Sequence, residues 1–346
     1  MKLLIVIVNY RSAQLTIDCL GSLKAGFHSS APVEKTGSSA IIGDRLVDAE
    51  IAPLCSIAHV IVTDNHSPDD SVEKLQAAVR DRHWTPLVTI QPLAKNGGFA
   101  CGNNAAIAPA LAGNDKPEFI LLLNPDTIVR PGAITALLNF MQASPKVGIA
   151  GSRLEDPDGT PQRSAFRFHS IAGEFERGIR VGLVSNLLAK QMVAQPVPDA
   201  AGPCDWVAGA SMMVRREVFE SAGLMDEKYF MYFEEVDFCL AARRAGWPCY
   251  YVPTSRVVHL VGAVSQMSDS RKHRSRRPAY WFESRRRYFV KNHGWFYAAL
   301  ADIAYLTAHS IWRLRRLLQR KEDTDPPKLL WDSVAHSVFV SRRNAE

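Results

Sequence analysis

The sequence predicts an α/β fold: a mostly parallel sheet flanked by helices, with a helical extension at its C-terminal end. Three observations carry that prediction. Short, continuously apolar runs alternate with helix-patterned stretches through the first half of the chain. Polar residues stop those runs abruptly at their C-terminal ends. Beyond about residue 266 the alternation ceases and the pattern turns helical and basic. Apolar runs separated by helices mark strands buried on both faces of a parallel sheet.

The first run is "LLIVIVNY", and helical spacing follows over 13–24. "HVIVTDN" precedes a helix over 71–80, and "PLVTIQP" precedes one over 100–111. "FILLLNPD" precedes "PGAITALLNFMQ", whose proline suits a first helical turn. Between the first two strands, segment 26–58 reads as an inserted surface loop or short helix. "VGIAGSRLEDPDGTPQRS" reads as a strand with a turn at Pro157-Asp158-Gly159. "DWVAGASMMVRREVFESAGLMDEKYFMYFEEVDFCLAARRAGW" reads as a strand, a helix, a loop and a second helix. "PCYYVPTSRVVHL" is a last strand ending at His259.

The 346 residues are 47% apolar, enough for a large core. Six scattered cysteines without a CxxC pair read as reduced thiols of a cytosolic compartment. The apolar run in "MKLLIVIVNYRS" is too short for a signal-peptide core and lacks a small-residue cleavage site. No stretch is charge-free over the ~20 residues of a spanning helix. The net charge of +6 is unevenly spread: residues 267–321 hold 14 Lys/Arg against 3 Asp/Glu, so the remainder is net acidic. That bias points to an anionic surface or substrate near the C-terminal part. Within 295–320, Asp302, His309, Arg313, Arg316 and Arg320 share one helical face, while Trp and Leu cover much of the rest. Two readings stand for this helix: an interfacial membrane helix, or a helix packed on the α/β domain. A nucleic-acid partner is not expected, because no aromatic–basic interleaving sits on a recognised module.

Candidate chemistry gathers at strand ends. Ligands of parallel sheets lie beyond the carboxyl ends of the strands, where Asn9, Asp64, Asn65 and Asp126 fall. In "LLLNPDTIV", Pro125 turns Asp126 out of the sheet, and a carboxylate there can hold a divalent cation that bridges phosphates. A plain Asn-Pro-Asp turn or a helix cap is the alternative. In "TDNHSPDDS", Asp64 and Asn65 offer groups to read a pyrimidine base and its ribose, while Asp70 or Ser71 caps the next helix. In "KNGGFACGNNAAI", Gly97 and Gly98 permit close backbone approach, and Asn96, Asn103 and Asn104 add amides. The helix starting there favours phosphate, although the segment is not GxGxxG. In "YFMYFEEVDFCLAARR", Glu234, Glu235 and Asp237 crowd three carboxylates together. Such crowding needs relief by a cation, an arginine or a proton, and suits a general base. A solvated acidic face is the alternative, and the flanking Phe230, Tyr232, Phe233 and Phe238 speak against it.

Taken in order, "IVIVNY", "VIVTDNHSPDDS", "KNGGFACGNNAAI", "LLLNPDTIV", the "WVAGASMMV…RRAGW" segment and "VVHLVGAVS" resemble the inverting glycosyltransferase family 2. The nearest likeness is to its rhamnosyltransferase-like members. The resemblance implies the GT-A fold, the Rossmann-like fold of nucleotide-diphospho-sugar transferases. It covers about residues 1–265 and continues weakly through "YWFESRRRYFVKNHG". The implied division is a glycosyltransferase domain at 1–265 and a basic, amphipathic helical region at 266–346, membrane-associated on the first of the two readings above.

By the same resemblance, Asp126 is the metal-binding Asp of a DxD-like motif and His259 assists it, with Mg2+ or Mn2+ as the ion. Asp64 and Asn65 bind the nucleobase. Asn96 and Gly98 close over the nucleotide, and Asn9, Asn104 and Asn124 belong to the same cofactor site. Glu235 is the catalytic base, although Asp is commoner there, and Glu234 beside it meets substrate and can share that role. Trp206, Gly209 and Ala210 line the sugar and acceptor site. The implied reaction moves a sugar, L-rhamnose from dTDP-L-rhamnose, to a hydroxyl of a lipid-linked or polysaccharide acceptor. It belongs to cell-surface glycan synthesis at the cytoplasmic, inner face of the cell membrane. A galactofuranosyl or other hexosyl transferase, or a non-catalytic nucleotide-sugar-binding protein, is the alternative. A nucleotidyltransferase would show a Gly-rich, Arg/Lys-bearing N-terminal loop, which "VNYRSAQLT" is not. The oligomeric state stays open.

Overall fold

The computed structural model describes residues 2–27, 39–42, 45–48, 54–260 and 275–340. The chain begins with β1 (Leu3–Asn9) and α1 (Ala13–Phe27), then a hairpin of β2 (Ser39–Ile42) and β3 (Arg45–Asp48). Where the sequence predicts a loop or short helix over 26–58, the described residues instead carry this antiparallel pair and a 3-10 turn at Leu54–Ser56. Four-residue strands leave too little alternation to be read from sequence. Next come β4 (Ala58–Asp64), α2 (Ser71–Asp81), β5 (Val88–Pro92), α3 (Gly98–Ala112), β6 (Phe119–Leu123), β7 (Thr127–Val129) and α4 (Ala133–Ala143). The middle of the chain holds β8 (Ile149–Glu155), β9 (Ala165–Phe166), α5 (Ile171–Ile179), α6 (Gly182–Leu187), β10 (Gly202–Cys204), β11 (Trp206–Val207) and β12 (Ser211–Arg215). It closes with α7 (Arg216–Ala222), α8 (Glu234–Arg244), β13 (Cys249–His259), α9 (Ala279–Leu318) and α10 (Leu329–Ala335).

The main sheet runs β10-β13-β8-β12-β6-β1-β4-β5, with β7 paired to β13. β1 lies parallel to both β4 and β6, and β4 lies parallel to β5. β12 runs antiparallel between β6 and β8, and β13 lies parallel to β8. Every residue of β1 and β6 is buried, as strands covered on both faces require. Leu3, Ile5 and Ile7 pack with Ile17, Leu20, Leu75, Val79, Leu137 and Met141 of α1, α2 and α4. Leu4 and Val6 point the other way, toward Ile107, Val218, Phe219 and Phe238 of α3, α7 and α8.

α9 is interrupted at Gly294, whose φ of 82° leaves the helical region. Before that break, Tyr288 and Phe289 join Val236 and Leu240 of α8 in a third apolar cluster. After it, three residues of the predicted polar stripe turn inward: Asp302 and Arg316 are buried and His309 is 0% exposed, while Arg313 is half-buried and Arg320 exposed. Arg285 donates to Asp302 (2.6 Å) and to Glu174 of α5 (2.9 Å). His309 lies 3.5 Å from Asp325, and Arg316 pairs with Asp323. The helix therefore packs on the protein through its polar side. Among the described residues, no helix is long and apolar enough to cross a membrane.

Candidate active site at the strand ends

Parallel pairing brings the C-terminal ends of β1, β4 and β6 to one edge, and antiparallel β12 starts there. β1 feeds neighbours on either side, so this edge is also where the strand order reverses, the usual ligand crevice of such sheets.

In-register pairing sets Asn9 beside Asp64. The Asn9 amide donates to Asp64 (2.7 Å), and its carbonyl oxygen accepts from Ser12 (2.9 Å) and Thr16 (2.8 Å). Asp64 also accepts from the Ser67 backbone (2.9 Å) and hydroxyl (2.7 Å). Asn65 donates to the Gly98 carbonyl (3.0 Å) and accepts from the Gly97 N–H (3.2 Å). Asn9, Asp64 and Asn65 are all buried, so together they form a rigid floor at the crevice. Asp70 is the N-cap residue of the helix that follows but makes no side-chain cap bond; Asp69 accepts from the Ser71 backbone and hydroxyl. Asp70 instead pairs with Lys74 (2.8 Å).

Asn96 accepts from the Gly98 N–H (3.1 Å). Gly98 has φ 84°, and a Cβ there would sit 1.9 Å from the Phe230 carbonyl oxygen. Only glycine fits both constraints. That same carbonyl accepts from the Phe99 N–H (3.0 Å), so the glycine turn is tied to the loop before α8. Asn104 serves the same tie: its amide donates to the Met225 carbonyl (2.7 Å) and Glu227 (3.0 Å), and its oxygen accepts from the Met225 N–H (3.2 Å). These bonds tie the glycine-turn helix to that loop.

Asp126 follows β6 and is buried, with His259 Nε2 3.6 Å from its carboxylate. Strand pairing explains the approach: His259 lies opposite Thr127, and the Leu260 N–H donates to the Asp126 carbonyl (2.9 Å). Among the described residues, no three His, Cys, Asp or Glu side chains converge as a closed cage. One carboxylate and one imidazole form an open donor set, suited to a hard divalent ion that takes its remaining ligands from diphosphate oxygens and water. The Asn124 N–H donates to the Ala210 carbonyl (3.0 Å), which brings segment 206–210 against the Asn-Pro-Asp turn.

Segment 206–210 reaches the acidic helix as well. A Cβ on Gly209 would meet the Phe99 ring at 3.2 Å and Glu235 Cβ at 3.9 Å. Trp206 stacks on Phe166 with ring centroids 4.1 Å apart, and its indole N–H donates to the Arg167 carbonyl (2.8 Å). The structure thus brings Asn124, Ala210, Gly209, Phe99 and Glu235 into one chain of contacts.

Glu234 and Glu235 open α8. Just before them, Tyr232 and Phe233 both adopt left-handed backbone, at φ 69° and 67°, which is strained for aromatic residues. Phe233 is held there by His169, Trp281 and Tyr288 at ring distances of 4.8, 6.0 and 5.7 Å. One oxygen of each glutamate is buried without a hydrogen-bond partner. Burial pushes Glu235 up to about 7. Burial also pushes Glu234 well above the usual carboxyl range, and the Glu235 charge beside it adds to the rise. Asp237 differs: it accepts from Tyr229 (3.2 Å), Lys291 (2.6 Å) and Asn292 (2.6 Å). Lys291 and Asn292 escape a sequence reading, and their one trace there is the weak likeness of "YFVKNHG". His169, alone in its stretch, gives no sequence signal.

The family model described as "Glycosyltransferase like family 2" matches residues 53–278. An N-acetylglucosaminyl-diphospho-decaprenol L-rhamnosyltransferase of Mycobacterium tuberculosis is 33% identical over 207 residues, 58% of this chain and 66% of that protein. The rhamnosyltransferase WbbL of Escherichia coli K12 is 26% identical over 165 residues, 47% of this chain and 60% of that protein. The chain thus spans less than two thirds of the length of these curated relatives. Among solved structures, GalNAc-T7 with UDP, GalNAc and Mn2+ aligns with TM-score 0.54 at 13% identity, covering 98% of this chain and 57% of that one. The mannosyltransferase PcManGT of Pyrobaculum calidifontis with GDP-Man and Mn2+ aligns with TM-score 0.51 at 13% identity, covering 99% and 81%. These likenesses show the GT-A fold.

Proposed function

The chain belongs to the glycosyltransferase-like family 2, and from that premise we propose that it is a metal-dependent inverting glycosyltransferase. The single observation that carries the reading is the pairing of two unlike acidic sites at one sheet edge. Asp126 with His259 is an open donor set, while Glu235 is a buried carboxylate with one unpartnered oxygen, poised near neutrality. The first suits a leaving diphosphate and the second suits an acceptor hydroxyl.

Asp126 and His259 would hold Mg2+ or Mn2+, which would supply positive charge against the diphosphate of the donor. Asp64 and Asn65, fixed by Asn9 and the glycine turn, form the floor for the nucleoside. Asn96, Gly98, Asn104 and Asn124 shape the walls of that site, and Trp206, Gly209 and Ala210 line the sugar and acceptor side. Glu235 takes the proton of the acceptor hydroxyl. The freed oxygen lone pair forms a bond to the anomeric carbon as the bond to the diphosphate oxygen breaks, and the configuration inverts. The nucleoside diphosphate leaves with the bonding electrons. Glu234, whose burial favours its neutral form, meets substrate beside Glu235.

The proposed donor is dTDP-L-rhamnose and the proposed acceptor a lipid-linked or polysaccharide sugar, at the cytoplasmic face of the membrane. The names of the mycobacterial and E. coli relatives support rhamnose as the sugar, and the mycobacterial name supports a lipid-linked acceptor. A hexosyltransferase of the same family is the second reading, favoured by the 30% identity over 193 residues to the hexosyltransferase Agl10 of Haloferax volcanii. The test is turnover of a panel of dTDP-, UDP- and GDP-sugars with Mg2+ or Mn2+, beside Asp126→Ala and Glu235→Gln. Metal-dependent turnover of dTDP-L-rhamnose, lost in both variants, is the expected result. Preference for another sugar names the second reading, and absence of binding and turnover for every donor overturns both.

A further inference from the structure

The second half of α9 is built inside out for a helix in water. Its polar residues Asp302, His309 and Arg316 face the protein beside Ala301, Tyr305 and Ala308, and most of its other large apolar residues face outward. Phe296 is 81% exposed, Leu314 60% and Leu318 78%, with Leu300 and Ile303 exposed between them. These positions recur at helical spacing and make one stripe along residues 295–318, about 36 Å long. At its start, Trp295 meets Phe339 with ring centroids 5.9 Å apart, so the exposed Phe339 and Val340 extend the stripe sideways. Contiguous apolar surface of this kind marks a contact that the isolated chain lacks.

We propose that this face lies flat in the headgroup boundary of an anionic phospholipid bilayer. The charge pattern selects that occupant. Between residues 295 and 321 the one acidic residue is Asp302, which is buried and bonded to Arg285. The outward half therefore carries no carboxylate to repel anionic headgroups. Arg313 and Arg315 fall about 100° to either side of Leu314, one on each shoulder of the stripe. Basic shoulders beside a Leu/Phe/Trp face are the arrangement of a helix lying in the interface plane. A second copy of this chain fits the face less well, since a symmetric contact sets the arginine shoulders against one another. This contact gives a surface to the membrane partner named under the proposed function. It rests on that reading for the acceptor's place in the membrane, and not for the lipid contact itself.

The experiment is flotation of the full chain with vesicles of phosphatidylcholine alone and with one third phosphatidylglycerol, at low and high salt. Phe296→Glu and Leu314→Glu are tested in parallel, with thermal unfolding and sedimentation velocity on each. The chain is expected to float with the anionic vesicles, less at high salt, and only weakly with neutral ones. Each variant is expected to bind about tenfold more weakly with an unchanged melting temperature, because both side chains are exposed. Equal binding by the variants overturns the proposal. So does a wild-type chain that ignores anionic vesicles, or one that sediments as a dimer which Leu314→Glu dissociates. Donor turnover is measured on the same samples without lipid. If turnover is absent while flotation is normal, the transferase reading has failed and the lipid face stands.

Discussion

Glu174 and Glu234 are both buried carboxylates in the first turn of a helix, and their surroundings push them in opposite directions. Glu174 opens α5 between Arg177 and Arg285, with His169 3.2 Å away. Those cations outweigh its burial and hold it well below the usual carboxyl range. Glu234 opens α8 with Glu235 for a neighbour and a partnerless oxygen, and burial holds it well above that range. Burial alone therefore says little about what a carboxylate does. A paired buried carboxylate ties elements together, whereas an unpaired one costs stability and persists where chemistry needs a proton acceptor.

The largest effect should come from breaking the paired side. Glu174→Ala leaves Arg285 facing Asp302 alone and should cost about 3–5 kcal/mol in urea unfolding. Because the folded Glu174 is held low, its contribution is complete above the ordinary carboxyl value. It is lost as pH falls through the folded value, so the variant and wild type should converge in acid.

Glu235→Gln should lower turnover about 10²- to 10⁴-fold with little change in donor binding. In the wild type, the rate should rise with pH through about 7, where Glu235 ionises. Glu234→Gln should leave that midpoint in place if Glu235 alone is the base. A midpoint that moves with Glu234→Gln would show the two sharing the base role. The linkage sign is opposite to that of Glu174. The folded state holds the Glu235 proton more tightly than the unfolded chain, so stability falls as pH rises from the ordinary carboxyl value to about 7. Glu235→Gln should thus raise the melting temperature at pH 8 while it removes activity, a combination that a structural carboxylate would not give.

The smallest effect refines the comparison within α8 itself. Asp237 lies two residues past Glu235 yet is paired with Lys291, Asn292 and Tyr229. Lys291 is 39% exposed, so solvent screens the pair. Lys291→Met should cost about 1 kcal/mol, read by urea unfolding.

What was legible in the sequence follows the range of the forces involved. The strands that end on Asn9, Asp64 and Asn124 announce themselves as apolar runs, because burial on both faces demands them. The contact of Asn124 with Ala210 does not, since antiparallel β12 returns to β6 from far along the chain. Helical spacing shows that Asp302, His309 and Arg316 share a face. It does not show which way that face turns, because their partners Arg285, Asp323 and Asp325 lie outside the 295–320 repeat or beyond the break. The acidic crowding at Glu234 and Glu235 was legible as a strain needing relief. Its neighbour Asp237 was not separable from it until Lys291 and Asn292 were seen beside it.

The pairing of α9 with the sheet domain bears on where this chain can be cut. The family-matched region stops at residue 278, one residue before α9. A chain ending there would lose Arg285, Arg287, Lys291 and Asn292 together. Glu174, Asp226 and Asp237 would then lose these countercharges and donors. The family-matched region thus leans on residues that lie beyond its own end. A helix that the family model does not describe would be the part that lets the matched part stand.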